Sequence, residues 1–280
     1  MLKQRIISGL ILAFTLTALI FSIGDVYLSY FVGIIASVSL WEYLKVRFSN
    51  LITFTVLVAF VSCMYLSNIL FFNILFLILG AITILISAFL IISFPLNKNF
   101  LRNPIFWVIS GLTLHLAFFA SIFYLLFHGE NILGGYTFNK RTLIIFIILI
   151  SVLMDSIAYF AGKKFGKRPF MSNVSPNKTL EGFVSAILIS PLLLSLVANN
   201  FFNISFSLAL LILLCVSFLS VLGDAHASMI KRVVEIKDFS NLIPGHGGLY
   251  DRLDSHIVDF PSFVLMLYFC LLYTSPSPRD

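Results

Sequence analysis

Long apolar runs alternate with short polar loops along most of this 280-residue chain. A helix that crosses a membrane needs about 20 predominantly apolar residues. Nine segments fit that length, at about 6–24, 27–44, 51–67, 69–94, 104–127, 142–162, 180–198, 204–222 and 257–273. The block 51–94 is nearly uninterrupted, so we divide it into two crossings that turn near Ser67 and Asn68. The pattern predicts an all-α, polytopic integral membrane protein.

Composition supports this class. Hydrophobic residues make up 60% of the chain and charged residues only 11%, whereas about a quarter of a globular domain is charged. A net charge of +6 is compatible with a nucleic-acid partner. The basic residues, however, lie in short loops at the ends of apolar runs, as the orientation signals of membrane proteins do. We therefore predict no nucleic-acid partner.

The basic residues also predict how the helices are oriented. If the N-terminus is cytoplasmic, all but three of the 18 Lys and Arg residues fall on the cytoplasmic side. The exceptions are Lys140, Arg141 and Arg279. Under the positive-inside rule, this asymmetry predicts a cytoplasmic N-terminus. It also puts two polar islands, 163–179 and 223–256, at the same cytoplasmic face.

Carboxylates recur in the helices that border these islands. Asp155 lies in the sixth predicted helix, Asp224 closes the eighth, and Asp251 and Asp254 precede the ninth. Ionisable groups at membrane depth are costly, so each indicates function; a helix cap or an ion pair is the alternative for any one of them. Magnesium is usually held by one or two carboxylates together with water and substrate phosphates. These residues therefore predict a Mg²⁺ site.

A glycine turn, Pro244–Gly248, precedes the last predicted helix. Glycines let backbone N–H groups approach a ligand closely, and the N-terminus of a following helix favours an anion. A tight turn without a ligand is the alternative. Nearby cations favour a triphosphate, and these are Lys231, Arg232, Lys237 and Arg252. If the eighth helix continues past Asp224, Ser228 and Lys231 fall on the same stripe of that helix.

Three further polar residues are interpreted one by one. Lys178 lies between a proline turn and Thr179, which is expected to cap the seventh helix with Glu181 in its first turn. We predict that Lys178 binds phosphate. Glu42, near the inner boundary of the second helix, is interpreted as an interfacial anchor, and His115 as a contact between helices.

Residues 228–254, SMIKRVVEIKDFSNLIPGHGGLYDRLD, resemble the signature of the phosphatidate cytidylyltransferases, also called CDP-diacylglycerol synthases. A second stretch resembles the same family, with DSIAYF at 155–160, Gly162, FGK at 165–167 and SPNKTLEG at 175–182. The first five helices are similar to the family in hydropathy alone. The resemblance implies that CTP and phosphatidic acid react to give CDP-diacylglycerol and pyrophosphate at the cytoplasmic face of a bacterial inner membrane. It also implies a polytopic helical fold and a homodimer.

Residue roles follow from the residue pattern and the resemblance together. The metal site is expected at Asp224, Asp251 and Asp254, with Mg²⁺ as its ion and a monovalent ion such as K⁺ as a candidate second ion. The candidate catalytic residues are Asp224, Lys231, Asp251 and Asp155. The candidates for binding nucleotide or phosphate are Lys178, Ser228, Arg232, Lys237, Asp238, His246, Gly247, Gly248 and Arg252.

These assignments divide the chain into three parts. Residues 1–140 are predicted to form helices 1–5, a scaffold that also mediates dimerisation. Residues 141–273 are predicted to form the catalytic part, with both polar loops. Residues 274–280 are set aside, because their Ser-Pro alternation is unlike the rest of the chain and indicates a disordered tail or a foreign segment. Two other functions stay open, a CTP-dependent kinase of a lipid alcohol and a transporter of an anionic solute.

Overall fold

The computed structural model describes residues 14–128, 139–243, 245 and 247–274, with side chains described as far as residue 270. Residues 14–22 are helical. The helices that follow in the described part are α1 Asp25–Lys45, α2 Asn50–Leu66, α3 Leu70–Ile92, α4 Lys98–Leu101, α5 Pro104–Phe127, α6 Lys140–Phe165, α7 Leu180–Phe202, α8 Phe206–Val234, α9 Tyr250–Leu253 and α10 His256–Thr274. The described residues form no β-strand, only two isolated bridges.

The predicted all-α, polytopic class is confirmed. Within the described ranges, seven helical segments are long and apolar enough to cross a membrane, and α2 is a shorter apolar helix. The turn predicted near Ser67 and Asn68 separates α2 from α3. The first predicted helix, 6–24, lies partly outside the described residues. The count of nine and the cytoplasmic N-terminus therefore stay predictions.

Helix α5 occupies the centre of the bundle. It packs against α1, α2, α3 and α10, and its apolar window is more buried than that of the other candidate spans. Hydrogen bonds join it to its neighbours, since the Tyr43 hydroxyl lies 2.9 Å from Ser110 Oγ and Thr83 Oγ1 lies 2.8 Å from Thr113 Oγ1. Such side-chain bonds between helices stabilise membrane bundles by about 1 kcal/mol each.

His115 makes the helix–helix contact that the sequence predicts. Its Nε2 lies 3.1 Å from Ser39 Oγ in α1, and its Nδ1 lies 2.7 Å from the carbonyl oxygen of Gly111 in its own helix. The side chain is fully buried. Both ring nitrogens thus have partners within the bundle, so the structural interpretation of this residue is confirmed.

Helices α6, α7 and α8 form a second group, in which α6 packs along α7 and α7 along α8. Helix α10 contacts α3, α5, α6 and α8. It therefore joins this group to the bundle around α5, and the carboxylates at its start lie where the two groups meet.

Loops predicted to share one face of the membrane lie together at one end of the bundle. Arg47 donates a hydrogen bond to the carbonyl oxygen of Arg102. Lys98 Nζ lies 3.6 Å from Glu235 Oε1, just past the end of α8. The grouping of these loops agrees with the predicted orientation, although it does not assign this end to the cytoplasm.

A charged cluster holds the opposite end. Asp25, in the first turn of α1, lies 3.0 Å from Lys140 Nζ and 2.9 Å from Arg141 Nη2, at the start of α6. Arg141 also donates to the carbonyl oxygens of Ile20 and Phe21. Two of the three basic residues predicted to lie away from the cytoplasm therefore form ion pairs with the same carboxylate.

Candidate active site

Helix α8 continues well past the predicted boundary at residue 222 and ends at Val234. The extension carries polar residues that hydropathy assigns to a loop. Because helical residues four and seven positions apart share a face, Asp224, Ser228 and Lys231 form one stripe, as predicted for a continuous helix. Lys231 and Arg232 lie in the last turn, where the helix dipole favours cations.

A cavity of about 370 Å³ lies between α6, α7 and α8. Its polar wall includes Asp155, Asp224 and Lys178, with Ser220 and Ser255. The apolar wall is formed by Met154, Ala158, Tyr159, Phe170, Phe183, Ala186 and Val221. We call this the amphipathic cavity. It brings together carboxylates from α6 and α8 and a lysine from the loop 166–179.

Lys178 forms an ion pair with Asp224 in the amphipathic cavity. Burial disfavours the charged form of Lys178, but the carboxylates of Asp224, Asp155 and Asp254 together outweigh that effect, so the pKa of Lys178 is raised above its ordinary value. Lys178 therefore carries its positive charge at neutral pH. The pair joins the two polar islands, which the sequence predicts only to share a face.

The loop 166–179 is closed at its base. Thr179 Oγ1 accepts a hydrogen bond of 3.2 Å from the Gly182 N–H and so caps α7, as predicted. Glu181 Oε2 accepts bonds from the backbone N–H groups of Lys167 at 2.9 Å and Arg168 at 3.2 Å. These contacts hold the two ends of the loop together, and the Phe170 N–H donates to the carbonyl oxygen of Lys178 at 2.7 Å, which holds the backbone of Lys178.

Asp251 organises the signature segment, which we define as residues 228–254. Its Oδ1 accepts a bond of 2.8 Å from Lys231 Nζ, and its Oδ2 accepts bonds from the backbone N–H groups of Phe239 at 2.8 Å and Gly248 at 3.0 Å. Gly247 has a φ of 86°, a conformation that favours glycine. Asp251 thus connects the end of α8, the following loop and the glycine turn.

The sequence-based interpretation of Glu42 as an interfacial anchor is wrong. The side chain of Glu42 is buried, and it accepts hydrogen bonds from the signature segment. Its Oε1 accepts a bond of 2.5 Å from Ser240 Oγ, and its Oε2 accepts one of 2.8 Å from the Tyr250 N–H. The one available signal was a carboxylate within an apolar run, which is costly unless satisfied. Its partners lie about two hundred positions away, and hydropathy does not reveal them.

A second cavity, of about 480 Å³, lies beside the last turn of α8. It is lined by Ser228, Lys231, Arg232, Glu235, Ile236 and Lys237. We call it the cationic cleft. Arg232 Nε donates a bond of 3.2 Å to the carbonyl oxygen of Val174, which joins the cleft to the loop 166–179. Four of the residues predicted to act on nucleotide or phosphate therefore surround one cavity.

The remaining predicted phosphate-binding residues lie near the glycine turn. Asp238 faces Gly247, because a Cβ atom built on that glycine would lie 3.3 Å from Asp238 Oδ1. Arg252 is exposed in α9. His246 lies outside the described residues, so its predicted role stays a prediction.

The carboxylates suit a divalent ion whose coordination is completed by water and substrate. Asp155 and Asp224 line the same cavity, and Asp254 is close enough to interact electrostatically with both. In the part of the chain that the structure describes, no three His, Cys, Asp or Glu residues are grouped to hold an ion by themselves. Magnesium is commonly bound by only one or two carboxylates with substrate phosphates. The donor set fits that mode, and the metal roles of Asp224, Asp251 and Asp254 stay predictions.

Comparison with known proteins tests the resemblance. The chain matches the model of the cytidylyltransferase family over residues 3–270. It is 30% identical to the phosphatidate cytidylyltransferase of Haemophilus influenzae, over 97% of this chain and 100% of that protein. It is 32% identical to the Bacillus subtilis protein of the same name, over 96% and 97%, and 38% identical to that of Helicobacter pylori, over 49% and 51%. The resemblance is confirmed, and the chain belongs to the cytidylyltransferase family.

Proposed function

We propose that this protein is a membrane-embedded phosphatidate cytidylyltransferase, which converts CTP and phosphatidic acid into CDP-diacylglycerol and pyrophosphate. The observation that carries the proposal is the amphipathic cavity, where Lys178, Asp155 and Asp224 face an apolar wall. A lipid phosphate, anionic at one end and apolar at the other, matches both walls. Family membership and the names of the relatives support the reaction class.

The lipid phosphate is the nucleophile of the proposed reaction. One of its oxygens attacks the α-phosphorus of CTP and forms a new P–O bond. The bond between that phosphorus and the oxygen bridging to the β-phosphate breaks, and its electron pair leaves with pyrophosphate. Because the attacking oxygen is already ionised at neutral pH, no general base is required. The residues act by positioning the reactants and neutralising charge, and the cationic Lys178 holds the lipid phosphate.

We assign CTP to the cationic cleft. Lys231, Arg232 and Lys237 offset the charge of the triphosphate and of the departing pyrophosphate. Ser228 lies about one helical turn from both Asp224 and Lys231 along α8. The cleft and the amphipathic cavity thus follow one face of α8, and the two substrates meet near Asp224. Backbone N–H groups of the glycine turn are further donors to the phosphates.

A divalent ion such as Mg²⁺ belongs to the proposal. Asp224 and Asp155 would hold it, with Asp251 and Asp254 as further candidates and K⁺ as a candidate second ion. When bound, the ion supplies Lewis-acid polarisation of the phosphoryl oxygens and offsets their charge. Asp251 has a further role, because its bond to Lys231 orients that lysine at the cationic cleft.

Location and assembly are proposed with the function. The two polar islands that form the candidate site hold nine of the 18 Lys and Arg residues, which favours a site that faces the cytoplasm of a bacterial inner membrane. A homodimer formed through the helices of residues 1–140 is supported by the family resemblance alone.

The position of the label in the product tests the function. Purified enzyme in detergent micelles is given phosphatidic acid and CTP labelled at either the α- or the γ-phosphorus. We expect the α-label in the lipid fraction and the γ-label in pyrophosphate. A lipid-alcohol kinase would instead move the γ-label to an added lipid alcohol, and a transporter would move neither. Either of those results from a folded protein overturns the proposal.

A further inference from the structure

Glu42 connects the first described long helix to the signature segment. It lies near the end of α1 and is 1% exposed. Its two carboxylate oxygens have separate partners, the Ser240 hydroxyl before the glycine turn and the Tyr250 N–H after it. One side chain therefore holds both ends of the segment that contains the turn. Asp251 makes a similar bridge, but it does so from within the segment.

The contact needs a carboxylate. An ionised Glu has acceptor oxygens only, and both of its partners here are donors. The Ser240 hydroxyl donates its proton to Glu42 and accepts a bond of 3.1 Å from the Leu242 N–H. A glutamine could accept from only one of the two partners, because its other terminal atom is an NH₂ donor. The geometry therefore favours a side chain with two acceptor oxygens.

The glycine turn is fitted closely around Glu42. A Cβ atom on Gly248 would lie 2.7 Å from Glu42 Oε2 and 3.1 Å from Ser240 N. Real Cβ atoms do not approach an oxygen that closely without displacing it. The absence of a side chain at Gly248 thus lets the backbone of the turn reach the carboxylate, and the backbone N–H of Gly248 remains directed at Asp251.

Aromatic packing makes this end of α1 a rigid support. Tyr43, next to Glu42, has its ring centroid 5.2 Å from that of Trp107 in α5 and 5.2 Å from that of Tyr250. Tyr43 and Trp107 are fully buried. Such ring pairs add about 1 kcal/mol beyond the area that they bury. The core of the bundle consequently holds the backbone beside Glu42, whose carboxylate bonds to Ser240 and Tyr250 on the two sides of the turn.

We infer that Glu42 is a positioning residue that holds the glycine turn in the conformation that binds the phosphates of CTP, so that the helices of residues 1–140 contribute directly to the nucleotide site. The inference rests on the proposed function. Glu42 touches neither substrate, and it acts through the backbone of residues 240–250.

Kinetic constants for both substrates test the inference. Glu42→Ala is expected to raise the KM for CTP about tenfold to a hundredfold, the range that corresponds to losing a hydrogen bond to a charged group. The KM for phosphatidic acid is expected to stay unchanged. Glu42→Gln, which keeps one acceptor, should give a smaller rise. A purely structural role would lower the amount of active enzyme and hence the apparent kcat, without a change in the KM for CTP.

Ser240→Ala removes one of the two bonds to Glu42, together with the local bond from the Leu242 N–H, and it leaves the Glu42 side chain in place, which keeps the test open if Glu42→Ala does not fold. Because Ser240 and Glu42 act through the same contact, the double variant should be no worse for CTP than Glu42→Ala alone. Asp25→Asn is the matched control, since it removes a carboxylate from the other end of α1, and it should leave the KM for CTP unchanged. Additive effects, or equal changes for both substrates, overturn the inference.

Hydrogen exchange separates this inference from the proposed function. In Glu42→Ala, amides of residues 239–250 should exchange faster than in the unsubstituted protein, and those of α5 should not. If the unsubstituted protein turns over no CTP, but residues 239–250 exchange faster in Glu42→Ala, the proposed function is wrong and the structural contact of Glu42 is supported. If CTP is turned over and neither its KM nor the exchange responds to Glu42→Ala, the positioning role is excluded.

Discussion

Asp251 and Asp224 are both carboxylates of the candidate site, yet their surroundings differ. The Asp251 side chain is 3% exposed and accepts three hydrogen bonds. The Asp224 side chain is 22% exposed, lines the amphipathic cavity and pairs with Lys178. Asp251 therefore stabilises the fold of the signature segment, whereas the carboxylate of Asp224 is accessible from the amphipathic cavity, where we propose that substrate and metal bind.

This difference predicts unequal losses of stability when each carboxylate is removed. Asp251→Asn should lower the free energy of unfolding by about 3 kcal/mol or more, because it leaves Lys231 without its buried partner. Asp224→Asn should lower it by about 1 kcal/mol or less, since its ion pair with Lys178 is partly exposed. Denaturant unfolding in detergent, followed by near-UV circular dichroism, measures both. A larger loss in Asp224→Asn would contradict the assignment.

The sequence predicts which polar residues matter better than it predicts their partners. Asp155, Asp224 and Asp251 stand out because charges in apolar surroundings are costly, and Lys178 stands out because it lies between a proline turn and a helix cap. Their pairing depends on how the helices pack, and hydropathy carries no information about that. For the same reason the sequence does not reveal the role of Glu42. Its neighbours along α1 are typical of a membrane interface, and its partners Ser240 and Tyr250 are close to it only in the folded protein.

At the scale of elements, the contact between α6 and α7 shapes the amphipathic cavity. A Cβ atom on Gly182 would lie 2.6 Å from the carbonyl oxygen of Ala158 and 3.1 Å from the Cα of Gly162. The two helices therefore approach each other as closely as they do because both positions lack a side chain, as small residues permit in membrane bundles. Lys178 and Thr179 lie directly before this contact.

Gly182→Ala is expected to separate α6 from α7. Overpacking of this kind costs about 1–3 kcal/mol, and turnover should fall as Lys178 moves relative to Asp224. Thermal unfolding and turnover in the same detergent measure the two effects. Gly24→Ala is the matched control, because its Cβ would make only an ordinary contact of 3.6 Å with Tyr27. If Gly182→Ala is as stable and active as that control, the close contact is not required.

Helix positions follow from hydropathy, but helix ends do not always. The predicted turn between α2 and α3 and the Thr179 cap are confirmed. Helix α8 extends beyond its predicted end because Asp224 and Lys231 find ion-pair partners there. Before α10, residues Tyr250–Leu253 form a separate short helix, α9, which hydropathy does not predict.

For the whole molecule, the chain folds so that distant segments share one end of the bundle. Helix α1 reaches the signature segment through Glu42, and the loop 166–179 reaches α8 through Lys178 and Arg232. The predicted division at residue 140 describes the order of the helices along the chain, and the site draws on helices from both sides of it.

The predicted orientation can be measured in intact cells. With Cys63, Cys215 and Cys270 replaced by alanine, single cysteines are introduced at Arg102 and at Asn139, which are exposed at opposite ends of the bundle. The positive-inside rule predicts that an impermeant maleimide labels the cysteine at 139 and not that at 102. Permeabilised cells, in which both should react, are the control. The reverse labelling pattern would show that the protein has the opposite orientation in the membrane, with its N-terminus outside the cytoplasm.

The most direct test of the central claim is transfer of the α-label of CTP to phosphatidic acid by purified protein. Label should enter the lipid fraction only when phosphatidic acid is present. Asp224→Asn should reduce the rate at least about a hundredfold, the scale seen when one charge-stabilising group is removed from an active site, and Asp25→Asn should retain it. Folded protein that transfers no label, or an Asp224→Asn variant that keeps the full rate, would contradict the account.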